Sequence, residues 1–164
     1  MKKILLLSIL LWTGWVSAQA IDLDKENRDP KYVESIVSRS QKIVDKLGIN
    51  DAKVAEDVRN VIANRYFTLN DIYETRDAKV KEIKESDLVG EAKNNALKAA
   101  EDAKDAALYR IHFAFPADLS LFLTEEQIEA VKDGMTYGVL KITYDSHLDM
   151  IPSLKKEEKA QMLG

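Results

Sequence analysis

Over residues 54–83, apolar side chains recur three or four positions apart, at Val54, Val58, Val61, Ile62, Tyr66, Leu69, Ile72, Tyr73, Val80 and Ile83. That period puts them on one face of an α-helix, and Asn50 or Asp51 stands where a start cap is needed. The pattern predicts a helix of about 35 residues, well past the usual globular length. Residues 86–90 read as a turn. From Glu91 the chain is rich in alanine (Ala92, Ala96, Ala99, Ala100, Ala103, Ala106, Ala107) interleaved with charge, before Leu108, Tyr109, Ile111, Phe113 and Phe115 thicken its apolar content. Strong helix formers throughout favour a solvated helix over disorder. An alanine-lined helix lets a neighbour approach closely, so the two segments predict an antiparallel hairpin with its tip near Leu88 and an aromatic base. Phe115-Pro116 is expected to end the second helix, because the residue before proline is pushed out of the α region.

The flanking segments are helical too. Pro30 suits a first helical position, and Tyr32, Val33, Ile36, Val37, Ile43, Val44 and Leu47 form an apolar stripe that Gly48 stops. Leu123-Thr124-Glu125-Glu126-Gln127-Ile128 is a capping box with a hydrophobic staple, a strong helix-start signal. Asp133-Gly134 is expected to close that helix. Residues 137–144 are β-prone, yet Leu140, Tyr144, His147 and Ile151 fit one helix face; helix is favoured, since a lone strand would have no sheet to join. A last helix is expected to restart at Pro152-Ser153. The fold class is therefore all-α, a helical bundle with a long antiparallel helical hairpin.

Ahead of this bundle, Lys2 and Lys3 precede an apolar run over residues 4–16, which small residues follow at once. This is the pattern of a cleaved secretory signal peptide, too short to span a hydrocarbon core comfortably. Cleavage after Ala18 or after Ala20 fits the small-x-small rule equally well. The expected organisation is a signal peptide over 1–20, a flexible leader over 21–29 and one helical domain over 30–164, in a periplasmic or extracellular setting with no transmembrane segment in the mature chain. With no cysteine there is neither a lipid-anchoring site nor a disulfide framework. Loss of Lys2 and Lys3 leaves 22 basic residues against 28 acidic ones, which argues against a nucleic-acid partner. Trp12 and Trp15 both fall in the signal, so the mature chain is expected to lack tryptophan.

No cofactor motif, nucleophile triad or phosphate-cradling glycine loop is present. His112 and His147 are the only histidines; Asp145, His147 and Asp149 could offer metal ligands, but residues two apart on a helix point away from each other, so no metal is expected. Asp133, beside Gly134, Met135, Thr136 and Tyr137, is the carboxylate best placed to sit in a pocket at a turn. The aromatic residues suggest stacking on sugars, although helical spacing makes core packing the expected use for most of them. Arg65, Arg76 and Arg110 lie at or near the same faces and could bind an acidic saccharide. The candidate binding residues are Arg65, Tyr66, Tyr73, Arg76, Tyr109, His112, Asp133 and Tyr137; no catalytic residue is assigned.

Two resemblances rest on particular residues. Leu123 to Gln127 reads Leu-Thr-Glu-Glu-Gln, which resembles the motif of the periplasmic LTxxQ chaperones (CpxP-like and Spy-like). More of the chain, from Ser38 onward, resembles an uncharacterised family of secreted Bacteroidetes proteins, a domain of unknown function. The matching residues are Lys46-Leu47-Gly48-Ile49, Arg65-Tyr66, Leu69-Asn70-Asp71-Ile72, Arg76-Asp77, the capping box, and Val131-Lys132-Asp133-Gly134-Met135-Thr136-Tyr137. This second resemblance implies no established activity, places the relatives among carbohydrate-utilisation functions, and implies a domain that continues past Gly164. Together these readings favour an exported binding or accessory protein whose partner is a carbohydrate or another envelope protein. A holdase-like chaperone and a polysaccharide-associated enzyme are the alternatives.

Overall fold

In the computed structural model, which describes residues 20–161, every regular element is helical. The expected signal segment lies outside the described residues, and no helix among the described residues is long and apolar enough to cross a membrane. Helix α1 (Pro30–Val44) starts with proline in its first turn, and the Asp29 side chain accepts a hydrogen bond from the Tyr32 backbone N–H. Helix α2 (Ala52–Glu85) runs 34 residues, capped by the Asp51 carboxylate, which accepts from the backbone N–H groups of Lys53 and Val54. At 1.5 Å per residue it is about 51 Å long. After the turn at 86–89, α3 (Gly90–Ile111) folds back along it, giving the expected antiparallel hairpin.

The core sits at the base of that hairpin. Val58, Val61 and Ile62 of α2 meet Ile43 and Val44 of α1, Leu47 just beyond it, Phe115 and Leu119 of α4 (Ala114–Leu119), Leu123, and Ile128 and Val131 of α5 (Glu125–Met135). A second cluster joins Ile36 to Ala63 and Phe67. Toward the tip, only Ile83 and Ala100 are buried apolar residues. Both halves of the capping box form: the Gln127 N–H donates to Thr124 Oγ1 at 3.4 Å and the Gln127 side chain accepts from the Thr124 N–H at 3.1 Å. Gln127 also donates through Nε2 to the Leu47 carbonyl at 2.8 Å, tying α5 to the end of α1. Of the ambiguous 137–144 segment, residues 139–144 are helical, within α6 (Val139–Met150), and residues 137–138 form the turn before it; α7 (Lys156–Gln161) follows.

Several expectations are corrected. The second hairpin helix ends at Ile111, not at Phe115, and Pro116 lies in the first turn of α4, where its missing N–H has no helical partner to lose. Gly134 does not stop α5 but lies inside it, where a Cβ would come within 3.2 Å of two Ile43 side-chain carbons. The glycine lets α5 lie close against α1. The stop comes three residues later, where Tyr137 (φ 56°) and Gly138 (φ 71°) turn left-handed. The last helix begins at Lys156 rather than at 152–153, after the Lys155 N–H donates to Glu158 Oε2 at 2.8 Å.

Residues 21–29, expected as a flexible leader, instead form a strap laid along α2. Asp57 Oδ1 accepts from the Ile21 N–H at 3.0 Å, and Asn60 Nδ2 donates to the Ile21 carbonyl at 2.7 Å. Asn64 accepts from the Asp24 N–H and donates to the Asp22 carbonyl, each at 2.8 Å. Farther along, Arg28 forms a bidentate pair with Asp71 at 2.7 and 2.8 Å and covers the Phe67 ring at 4.6 Å. Positions 57, 60, 64, 67 and 71 share one face of α2 by helical spacing, so the strap runs parallel to α2 along a polar stripe beside its apolar one.

Candidate functional site

The eight residues singled out from sequence are not brought to one place. Tyr66, Asp133 and Tyr137 fall at the end of the bundle where α1, α2 and the α5–α6 turn meet. Arg39 of α1, unremarked in the sequence, completes this cluster: its guanidinium carbon lies 5.5 Å from the Tyr66 ring centre and 5.4 Å from that of Tyr137. Among the described residues no carboxylate pairs with Arg39. Tyr66 is half-buried, its hydroxyl 3.5 Å from the Met135 carbonyl. Burial pushes the Tyr66 phenol up from its ordinary range, and the neighbouring Arg39 charge pulls against that rise. Tyr137, by contrast, is 68% exposed.

The α5–α6 turn presents Tyr137 through backbone bonds. The Asp133 carbonyl accepts from the N–H groups of Thr136 at 3.2 Å and of Gly138 at 2.9 Å, which closes the turn and fixes the left-handed Tyr137. That conformation costs a non-glycine residue about 1–2 kcal/mol and persists only where surrounding bonds impose it. The Asp133 carboxylate faces this turn, 3.9 Å from where a Gly138 Cβ would stand. A guanidinium over aromatic faces keeps in-plane N–H donors for a planar anion such as a carboxylate, while an exposed tyrosine offers an apolar face and a hydroxyl.

The remaining candidates have other surroundings. Arg65 packs over Phe115 at 5.5 Å and donates from Nη1 to the Ile111 carbonyl at 3.0 Å. It thus satisfies an end carbonyl of α3, where a cation is favoured, and burial lowers its pKa. Arg76 is neutralised, with Nη1 2.7 Å from Glu101 Oε1 and Nε 2.7 Å from Asp77 Oδ1, and Lys104 holds the other Glu101 oxygen at 2.8 Å. Arg76 also lies 5.7 Å from the Tyr73 ring centre, beside a groove of about 680 Å³ between α2 and α3 floored by Ile72, Ala100, Ala103 and Ala107. Tyr109 and His112 sit on the outer surface, each making an edge contact with Phe113, at 6.5 and 4.8 Å between ring centres.

Core packing of the aromatics therefore holds for Phe67 and Phe115 but not for Tyr73, Tyr109, Phe113 or Tyr137, all of which are exposed. Helical spacing identifies a shared face without saying whether anything covers it. The two histidines do not meet in a ligand set: His147 Nδ1 lies 2.7 Å from the Thr143 carbonyl on its own helix. Among the described residues, no group of three His, Cys, Asp or Glu side chains could hold a metal ion.

The fold and this cluster define an all-α protein built on a long helical hairpin, with an aromatic–guanidinium surface at one end of its base. Its residues 33–164 match the family described as "Protein of unknown function (DUF3826)", and the chain belongs to that family. The match includes Arg39, Tyr66, Asp133 and Tyr137 and leaves out residues 21–29. No curated protein matches the chain.

Proposed function

We propose that this chain is an exported helical binding or accessory protein that recognises an acidic saccharide at the Arg39–Tyr66–Tyr137 end of the bundle. The observation that carries the reading is Arg39, a surface cation set between two tyrosine rings with no carboxylate partner among the described residues. A uronic acid offers what this surface lacks: a carboxylate for the guanidinium and an apolar sugar face for Tyr137. The strained, exposed Tyr137 supports the same reading: the left-handed backbone serves to stop α5, but glycine or asparagine would serve there without strain, so the stop does not explain an exposed tyrosine ring.

The test is a titration of residues 21–164 with oligogalacturonate and with a neutral xylo-oligosaccharide, followed by amide NMR shifts and calorimetry. Shifts centred on Arg39, Tyr66 and residues 133–138 are expected with the acidic sugar, weakening with added salt. Arg39→Ala is expected to abolish them. Absence of any shift at this cluster with the acidic sugar sinks the reading.

A holdase-like chaperone is the second reading, favoured by Val139, Ile142, Met150 and Ile151, which lie exposed on α6 and at its end. Exposed apolar side chains of that kind suit unfolded clients. If aggregation of a denatured client is unchanged by a molar excess of the protein, this second reading fails.

A further inference from the structure

Asp57 is the one carboxylate among the buried residues described, with its side chain 4% exposed. Lys53, on the same helix, holds it at 2.8 and 2.9 Å, and its other close donor is the backbone nitrogen of Ile21 at 3.0 Å. The Ile21 carbonyl is fixed by Asn60, and its side chain packs against the main core cluster. Ala20, one residue earlier, is exposed. Ile21 is thus the residue at which the strap becomes anchored, and its nitrogen touches a buried acid.

Two small-x-small sites end the expected signal, Val16-Ser17-Ala18 and Ala18-Gln19-Ala20, and sequence rules alone do not separate them. The structure does bear on the choice. We propose that the export-pathway signal peptidase hydrolyses the Ala20–Ile21 bond, and that the Ile21 ammonium so released is bound in the mature protein by Asp57. Water supplies the second oxygen of the Ala20 carboxylate, and the Ile21 nitrogen, freed as an amine, takes up protons to become the ammonium. One of its N–H donors keeps the bond to Asp57 Oδ1, and solvent on the side vacated by Ala20 takes the others. The bond to the Asp57 carboxylate is charge-assisted already; cleavage adds the coulombic attraction of a full positive charge on the donor. Cleavage after Ala18 would leave Gln19 and Ala20 attached and place the new charge two residues away from the acid.

Cleavage thus adds a charge to a strap whose bonds to α2 the uncleaved chain already makes. The sign of the pH dependence follows. The charged groups around the Ile21 nitrogen are Asp57, Lys53, whose Nζ shares Asp57 Oδ1 at 2.8 Å, and Asp22, Lys25, Glu56 and Arg59 about the same hollow. Lys53 is 54% exposed, so solvent screens its repulsion while the directly bonded acid attracts. The ammonium then has a folded-state pKa above its unfolded value of about 7.7–8.0, and its stabilisation is complete below that range and lost as pH rises through the raised folded value.

The first experiment is export of the full chain from a Gram-negative host, with intact mass and N-terminal sequencing of the exported product; Ile21 is expected as the first residue. The second is an NMR titration of the α-amine, isotopically dimethylated, in the chain beginning at Ile21 and in one beginning at Gln19. The Ile21 amine is expected to titrate above the ordinary range and the Gln19 amine within it. The Ile21 chain is also expected to melt at the higher temperature at pH 6, the gap closing above the raised pKa. Asp57→Asn is expected to return the Ile21 amine to the ordinary range; should that variant fail to fold, the comparison of the two wild-type chains stands without it. A first residue other than Ile21, or an Ile21 amine with an ordinary titration, overturns the proposal.

Discussion

Arg28 fastens the far end of the strap. Its side chain is 13% exposed, pairs with Asp71 and Asp24, donates to the Asp24 carbonyl and covers Phe67. Charge-assisted bonds of this kind are worth about 1.5–3 kcal/mol each where solvent is excluded, but Asp71 is half exposed and screening reduces its share. Arg28→Ala is expected to lower stability by about 1–2 kcal/mol in urea unfolding, most of it from the lost cover over Phe67 and the freed strap. The Arg28 guanidinium holds the Asp71 carboxyl below its ordinary range, and the Lys53 ammonium, with the Ile21 N–H, does the same for Asp57. Both acids have folded pKa values depressed below their unfolded ones, so their contribution is complete above about pH 5 and lost as pH falls through the folded values. Urea midpoints measured from pH 6 to pH 2.5 are expected to fall along that limb, and less steeply in Asp71→Asn. The strap itself escaped the sequence because residues 21–29 carry no periodicity. The signal lay on its partner: Asp57, Asn60, Asn64 and Asp71 repeat at helical spacing beside the apolar stripe, a polar row with the regularity of a packed face.

Helix boundaries were legible wherever a side chain supplies the cap, as at Asp51 and in the Thr124–Gln127 box, because those bonds are local and need no knowledge of the rest of the fold. They were misread where tertiary packing decides. Gly134 has the composition of a stop but serves an approach to Ile43, and a side chain there is expected to be costly: Gly134→Leu should lose about 1–3 kcal/mol through overpacking, read as a lowered urea midpoint. Tyr137 is the opposite case, a bulky residue in the conformation that glycine prefers. Tyr137→Gly is expected to relieve about 1 kcal/mol of backbone strain while forfeiting an exposed ring and its contact with Arg39, so that the melting temperature holds or rises slightly. The same variant is expected to lose binding of oligogalacturonate. A marked loss of stability would instead make Tyr137 a structural residue and remove the strain argument for a recognition role. Arg39 went unread because an arginine flanking an apolar stripe looks like any solvated helix residue; only the α5–α6 turn, distant in sequence, gives it a second ring.

At the scale of the molecule, α2 leads two lives. Its first half is packed by α1, the strap, α4 and α5, whereas beyond about residue 70 it has chiefly α3 for company, across an interface of alanines with Ile83 and Ala100 as its buried apolar residues. Alanine gives close approach but little apolar area, and stabilisation scales with area at roughly 25 cal/mol per Å². The outer hairpin should therefore open without the base, in a local transition of lower free energy than global unfolding. Native-state hydrogen exchange is expected to show amides near residues 58–67 exchanging only through global unfolding and those near 76–85 and 92–100 exchanging earlier, by fraying from the tip at Leu88. Mutation separates the two halves further. Ile62→Ala removes a fully buried side chain at the base and is expected to cost about 2–5 kcal/mol globally. Ile83→Ala should change the global midpoint much less, yet sharply accelerate exchange in the outer hairpin. Equal protection along all of α2 would mean that the stalk belongs to the cooperative unit of the base. The groove of about 680 Å³ between α2 and α3 would then be a rigid feature rather than one that opens as the stalk frays.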